Sequence, residues 1–368
     1  MAPDFLNTLP IPGGATLATA LDAVLGPLGL PSVSTGILLN SHGVSVAESV
    51  SVYFQGTYGV LDNLDLTVGA RYQEEDRDLK NGRLDVGNAD GTETNVRTDE
   101  VPTLKAEQLS PKVALQWRPF SELSQIYASW GRAYKSPTYN TVNFLNTPEA
   151  VDEEQVDSYE LGFKSDLFDA NLRLNAAAFF IEQKDLLTGF VALASGGIVT
   201  YANAGDAEIK GAEADFVWTP FPNWNPGLAF TGAVTYLDTE YTDYKDGRGF
   251  DEATGLAFGE GSLTLLPARD FTGNEVVRSP DLTYSIAFNQ RVELGATSSL
   301  EFGADVYHNS GFFFLPQNSD LYARESYELF NARVSYFYDA WGLQLTLFGE
   351  NVTDEEYSET VFVDDFGR

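Results

Sequence analysis

Cationic side chains interleaved with aromatic ones occur at two places along this chain. Arg132, Tyr134, Lys135 and Tyr139 set a guanidinium and an ammonium beside phenol rings, and Phe312, Phe313 and Phe314 are followed by Tyr322 and Arg324. Guanidinium and ammonium groups bind anions, and ring faces stack on ring-bearing ligands or hold cations. Both sets therefore suit an anionic, ring-bearing ligand, or else an aromatic rim or loop-packing cluster. No catalytic set accompanies them. The chain has 2 histidines, His42 and His308, and 0 cysteines, which excludes thiolate zinc sites, a cysteine nucleophile and a disulfide scaffold. It lacks a Gly-x-Ser-x-Gly nucleophile turn and a phosphate-binding Gly-rich loop. Asp243, Asp246-Gly247 and Glu252 miss the spacing of a calcium loop. The chain is expected to be no enzyme, with no catalytic residue, metal ligand or resident cofactor.

The balance of 54 acidic against 22 basic residues gives a net charge of −32, which repels phosphates and argues against a nucleic-acid partner. The acids crowd Glu74–Asp78, Asp152–Asp157, Asp238–Glu252 and Asp354–Asp365. Solvated loops explain such runs; the alternative is that they hold divalent cations. Mean hydropathy is −0.18 and no stretch reads as a spanning helix. The N-terminus, Met1-Ala-Pro-Asp-Phe, has no basic leader region, so an export signal would have to lie ahead of it.

Whatever these residues bind, strands must position them. Leu64, Leu66, Val68, Ala70 and Tyr72 alternate with Asp65, Thr67, Gly69, Arg71 and Gln73, and Leu300, Phe302, Ala304 and Val306 alternate with Glu301, Gly303, Asp305 and Tyr307. The period of two recurs in Leu282–Val292 and Leu343–Asn351, and less cleanly in Val50–Val60, Lys112–Arg118, Gln125–Arg132, Tyr159–Phe168, Asn171–Ile181, Ala207–Trp218, Leu228–Tyr236 and Glu328–Tyr338. That makes about twelve strands of roughly ten residues, the length a tilted strand needs to cross a bilayer. Connectors alternate strictly. Those at Leu61–Asn63, Pro119–Glu122, Asp169–Ala170, Pro220–Pro226, Gly295–Ser298 and Asp339–Gly342 are short; those at Glu74–Pro111, Tyr134–Val156, Lys184–Asp206, Asp238–Pro280 and Ser310–Tyr327 are long. All short turns then lie on one rim and all long loops on the other, as in an all-β, antiparallel up-and-down transmembrane barrel. The reading divides the chain into an irregular leading segment 1–46, a partial barrel of six hairpins at 47–351, and a truncated terminal loop at 352–368.

Rings support the lipid-facing assignment. Tyr58, Tyr72, Trp117, Trp130, Phe163, Trp218, Tyr236, Tyr284 and Tyr338 sit on apolar faces near strand ends, where two membrane-interface girdles belong. Arg71, Lys164, Glu213, Asp215, Arg291, Glu301 and Asp305 fall on the opposite register. A dry core would leave those charges unpaired, whereas a wet lumen hydrates them.

Five ordered motifs carry a family resemblance. They are Leu109-Ser-Pro-Lys-Val-Ala-Leu-Gln-Trp-Arg-Pro; Ile126-Tyr-Ala-Ser-Trp-Gly-Arg-Ala-Tyr-Lys-Ser-Pro; Ser158-Tyr-Glu-Leu-Gly-Phe-Lys-Ser-Asp-Leu-Phe with Leu172-Arg-Leu-Asn-Ala-Ala-Ala-Phe-Phe; Tyr201-Ala-Asn-Ala-Gly-Asp-Ala-Glu-Ile-Lys-Gly-Ala-Glu-Ala-Asp; and Phe348-Gly-Glu-Asn-Val-Thr-Asp-Glu-Glu-Tyr. Together, over about Ser45 to Tyr357, the chain resembles the C-terminal half of the barrel of TonB-dependent outer-membrane receptors. The resemblance implies about twenty-two strands in a whole barrel, of which this chain holds about twelve. It also implies a lumen plug, an energising TonB-type protein engaged through that plug, and residence in the bacterial outer membrane against lipid. Neither plug nor closing strand is visible in these residues, so an incomplete, open barrel is expected. Arg71, Glu160, Gly162, Gly211 and Glu213 share the inward register, the two glycines clearing space and the acids offering acceptors to a plug. Asn351 and Asp354 suit a capped turn.

The function implied is energised, ligand-gated uptake of a ferric siderophore or similar scarce nutrient, with Arg132, Tyr134, Lys135, Tyr139, Phe312, Phe313, Phe314, Tyr322 and Arg324 as ligand contacts on the loop rim. A passive twelve-stranded porin and a soluble or surface-attached adhesive β-protein are the competing readings. Pairing between Ala47–Val60 and Leu343–Asn351 would favour the porin.

Overall fold

The computed structural model describes residues 19, 23, 38–87, 91–120, 123–141, 147–192, 198–203, 205–254, 257–259 and 266–361. Twelve strands form its wall: β1 Leu38–Leu61, β2 Leu64–Gly87, β3 Leu104–Trp117, β4 Ser124–Lys135, β5 Glu154–Leu167, β6 Leu172–Lys184, β7 Asp206–Trp218, β8 Leu228–Asp243, β9 Leu282–Glu293, β10 Ser298–Asn309, β11 Tyr327–Tyr338 and β12 Leu343–Gly349. Each pairs antiparallel with its neighbours in the chain, so wall order equals chain order. The segment Glu93–Asp99 adds a short strand to β2, making one thirteen-stranded sheet. Among the described residues β1 pairs only with β2, and β12 only with β11, so the wall is an open arc. The edge-to-edge pairing required by a closed twelve-stranded porin is absent from it.

Register explains why the alternation holds. Residues opposite one another across an antiparallel pair share a face. Tyr58 is opposite Leu66, which is opposite Leu115, and the row continues through Ala128, Leu161, Ala178, Ala212 and Tyr236 to Leu282. Farther along, Phe230, Phe288, Ala304 and Ala332 align in the same way. The face these rows build is apolar and exposed, with Leu161 at 58 %, Phe54 at 69 % and Leu347 at 74 %. Monomeric soluble proteins rarely expose contiguous apolar patches beyond a few hundred Å², so a belt across twelve strands calls for lipid. No described helix is long and apolar enough to cross a membrane, which says nothing against strands that cross.

Rings mark both edges of the belt. Toward the short turns lie Trp117, Trp218, the Phe221–Trp224 pair with centroids 4.7 Å apart, and the Tyr338–Trp341 pair at 5.3 Å. Toward the long loops lie Tyr72, Trp130, stacked Tyr159–Phe180, and Tyr284 stacked on His308 at 4.8 Å. On the inner face the charges meet partners along the wall: Arg333 with Glu301 at 3.0 Å, Asn331 donating to Asp305 at 2.7 Å, and Asn175 donating to Asp215 at 2.9 Å.

Two expectations change, and the long connectors show structure of their own. β1 begins at Leu38, so the leading segment does not stay irregular through residue 46. Glu74–Asp78 belongs to β2, paired with both β1 and β3, rather than to a solvated loop. Beyond the apolar belt both faces of a strand meet water, so alternation fades although the ladder continues, and composition then imitates a loop. The long connectors, finally, contain their own hairpins: Thr138–Asn140 with Glu149–Val151, Leu187–Ala192 with Ile198–Asn203, Gly249–Phe250 with Ala257–Phe258, and Phe312–Phe313 with Ala323–Arg324.

The ordered motifs act as joints between wall and loops. Gly205 of the Asn-Ala-Gly element has φ 121°, and a Cβ there would overlap the Asp243 backbone, so only glycine fits. Asn203 beside it donates to the Asp185 carbonyl at 2.9 Å and accepts from the Asp152 amide at 2.9 Å. Asn351, in the left-handed region at φ 47°, donates to the Glu355 carbonyl and accepts from its amide, both at 2.9 Å. That is the expected capped turn, and it aims Tyr357 back at β11.

Candidate ligand site on the long-loop rim

The second cationic–aromatic set comes together. After β10, Gly311 turns the chain at φ 92°, where a Cβ would strike the Arg324 backbone, and Phe312–Phe313 then pairs with Ala323–Arg324. The hairpin brings the Arg324 guanidinium 4.7 Å from the Phe312 ring centre, 5.5 Å from Phe314, and 5.6 Å from both Tyr327 and Tyr357. Tyr327 and Tyr357 stack in parallel, centroids 4.4 Å apart and 3° between planes. Tyr327 is opposite Asn309, which is opposite Thr283, a row on the inward register. The cage is therefore anchored to the inward face of the wall at its long-loop end.

A second guanidinium joins it. Arg278, held at φ 58° with its amide donating to the Phe313 carbonyl at 3.0 Å, lies 5.4 Å from the centre of the Phe314 ring and donates to the Thr360 hydroxyl at 3.2 Å. Neither Arg278 nor Arg324 forms an ion pair among the described residues, and Arg324 Nε is buried without a hydrogen-bond partner. In a chain of net charge −32, two guanidinium groups lacking carboxylates on one aromatic wall have the chemistry to accept an anion. Tyr322 is buried behind the wall against Phe250, with Leu315 and Val361, and so supports it rather than lining it. Asn318 locks this loop to its neighbour, accepting from the Glu275 amide at 2.6 Å and donating to the Glu275 carbonyl at 3.1 Å.

The first set does not converge. Arg132 and Tyr134 share the register of Trp130, the outward face, whereas Lys135 falls on the inward one. Arg132 is also engaged in a two-pronged ion pair with Asp157, 2.9 Å on each prong, and Trp130 Nε1 donates to the same carboxylate at 3.2 Å. Tyr139 is buried, its hydroxyl donating to the Pro102 carbonyl. A period of two separates neighbours that look adjacent in sequence.

On the inner wall Arg71 and Glu213 present charges that make no ion pair among the described residues, while Glu160 accepts from the Tyr127 hydroxyl. Gly162 and Gly211 clear space, but the wall's own rings fill it. A Cβ at Gly162 would overlap the Tyr127 ring, and one at Gly211 would lie 2.7 Å from Phe179 Cε2. Each ring lies over the glycine of the adjoining strand, protecting backbone that would otherwise be bare.

An aromatic package supports the neighbouring loops. Tyr241, Tyr244, Phe258 and Phe271 are buried together with Ala207, the Tyr244–Phe271 pair edge-to-face at 5.2 Å. Arg269 stacks 4.2 Å over Phe258 and pairs with Asp251 at 2.5 Å. Hydrogen bonds from Thr254, then Arg269, hold Asp251 below the usual carboxylate range, and Thr272 does the same for Asp270. Burial pushes the Tyr244 phenol up. Sequence reasoning missed Arg278, Tyr327 and Tyr357 because they come from three separate segments with no shared spacing.

Residues 15–352 match the family described as TonB dependent receptor-like, beta-barrel. The chain belongs to the TonB-dependent receptor β-barrel family. The pesticin receptor of Yersinia enterocolitica is 29% identical over 193 residues, 51% of this chain and 26% of that protein. The ferric-pyoverdine 358 receptor of Pseudomonas putida is 27% identical over 206 residues, 55% of this chain and 23% of that receptor. The solved ferric yersiniabactin uptake receptor FyuA from Yersinia pestis superposes with a TM-score of 0.68 at 17% identity, over 89% of this chain and 44% of that one. This TonB-dependent receptor chain thus spans about a quarter of the curated relatives it matches. Its open wall accords with the larger barrels it resembles.

Proposed function

We propose that this chain is part of an outer-membrane receptor for energised, ligand-gated uptake of a ferric siderophore or comparable anionic, ring-bearing nutrient. The wall sits in the outer membrane, and the energising protein acts through a plug in the lumen. Arg71 and Glu213 are the wall groups proposed to meet that plug. The observation that carries the ligand assignment is the pair of carboxylate-free guanidinium groups, Arg324 and Arg278, set on the Phe312, Phe314, Tyr327 and Tyr357 rings. A ferric catecholate offers both the negative charge and the rings such a surface recognises. The names of the relatives, receptors for pesticin and for ferric pyoverdine, support a receptor of this kind.

The test is uptake of a radiolabelled ferric catecholate by iron-limited cells carrying the full-length gene, its deletion, or its Arg324→Ala and Arg278→Ala variants. Saturable, energy-dependent uptake, lost on deletion and reduced about tenfold or more by Arg324→Ala, is expected from the loss of a charge-assisted contact. Uptake that rises linearly with concentration and survives de-energising would replace the receptor reading with a passive pore. A deletion strain that grows normally under iron limitation but fails on another nutrient would reject the siderophore.

A further inference from the structure

The wall ribbon reaching past the belt carries a set of metal-ligating groups that the uptake reading does not use. His42 lies near the start of β1, Asp85 near the end of β2, and Glu93 opens the short strand paired to β2. Register puts them on one face: Asn40 is opposite Asp85, His42 opposite Arg83, Asp85 opposite Asn95, and Gly87 opposite Glu93. The His42 Nε2 atom is 3.4 Å from Asp85 Oδ2 and 3.8 Å from Glu93 Oε2, and one ligand atom from each residue falls within 4.8 Å of the others. Ligands held about 2.0–2.2 Å from a tetrahedral ion lie roughly 3.3–3.6 Å apart, so the two gaps to His42, at 3.4 Å and 3.8 Å, already approach ligand spacing, and the Glu93 side chain, which is exposed, closes the rest.

We infer that His42, Asp85 and Glu93 bind a divalent transition cation of zinc type, which cross-links three adjacent strands at the tip of the ribbon. Imidazole with two carboxylates suits zinc and its neighbours and disfavours calcium or magnesium, which take all-oxygen sets. Supporting groups already orient the ligands. Asn95 donates to Asp85 Oδ1 at 3.0 Å, and Asn40 donates to Glu93. Arg83 donates to Asp85 Oδ2 at 2.7 Å, which occupies one lone pair of that oxygen. The other lone pair remains for the cation beside His42. Arg83 is half exposed, so it can withdraw as the metal supplies the positive charge, while Asp85, its side chain 5 % exposed, keeps its place. Three protein ligands leave a fourth position for water.

The receptor carrying this segment, purified in detergent, is titrated with Zn²⁺ against a fluorescent chelator. One zinc per chain is expected, with affinity falling about tenfold or more in His42→Ala and in Glu93→Gln, and unchanged in His308→Ala. Asn95→Ala, which frees the Asp85 carboxylate to turn, weakens binding by a smaller factor. Zinc also slows amide exchange in Leu38–His42 and Glu93–Asp99 of the unmodified receptor and not of His42→Ala. Wild-type zinc affinity in His42→Ala, or displacement of the bound zinc by equimolar Ca²⁺, overturns the assignment. So does a receptor that takes up no zinc at all.

Discussion

Replacing Leu161 with arginine tests whether the two faces of the wall live in different solvents. Leu161 sits in mid-β5 on the outward row, between Ala128 and Ala178. It is 58 % exposed, so the neighbours on its own sheet do not cover it and lipid must. Arginine near the middle of a lipid-facing strand costs about 2–4 kcal/mol, or roughly thirty- to seven-hundred-fold in the folding equilibrium. The companion substitution is Ser129→Arg, one row away on the inward face. Ser129 is opposite Glu160, so the new cation meets water and a carboxylate. A hydrated pair of that kind is worth about 0–1 kcal/mol, so the substitution is expected to be neutral or slightly stabilising. The assay is urea titration of the receptor folded into lipid vesicles, followed by tryptophan fluorescence and by the gel shift of heated against unheated samples. A cost below about 0.5 kcal/mol for Leu161→Arg would refute the lipid belt. An equal cost for Ser129→Arg would refute the wet lumen.

Other consequences follow from single residues. Gly162→Ala should cost about 1–3 kcal/mol, because its methyl overlaps the Tyr127 ring; in the same denaturation assay most of the loss should vanish against a Tyr127→Ala background. Gly205→Ala should hinder folding by a similar or larger amount, since its Cβ would overlap the Asp243 backbone at a φ that side chains rarely adopt; the yield of heat-modifiable receptor reports it. Arg132→Ala should leave ligand affinity within about twofold of wild type, because Arg132 pairs outward with Asp157; equilibrium binding of the labelled ferric catecholate checks this. The loop package should loosen in acid. Asp251 and Asp270 are held below the ordinary 3.8, so their contribution is full above that pH and is lost as pH falls through the still lower folded values. Limited proteolysis of the 243–281 loop from pH 7 downward should show protection until the acid range, and loosening between pH 7 and 5 would contradict the assignment.

The wall could be read from the residues because a barrel strand answers to two solvents at once. Leu64 to Gln73 alternates without a fault, and β2 carries that stretch in the expected register. Short connectors are legible for a related reason: two strands joined by a few residues have no choice but to pair with each other. The same logic separated Arg132 from Lys135, although the chemistry of adjacent residues suggested a shared site. Above the belt the rule lapses, which is why Glu74–Asp78 read as loop while the ladder of β2 runs on to Gly87. Inward glycines were legible as gaps, but which atoms fill them depends on the rotamers of Tyr127 and Phe179 one strand away.

The site belongs to tertiary structure more fully. Phe312, Phe314 and Arg324 announced themselves by type, yet the cage also needs Arg278 from the preceding loop, Tyr327 from β11 and Tyr357 from beyond β12. Likewise His42 is far in sequence from Asp85 and Glu93, and the three meet only because β1, β2 and the added strand lie side by side. Sequence by itself determined which residues face outward and in what order the strands succeed one another, since both follow from alternation and connector length. Tertiary structure alone decided which loop residues touch, because a loop has no fixed period and its contacts are set by the strands that hold its ends.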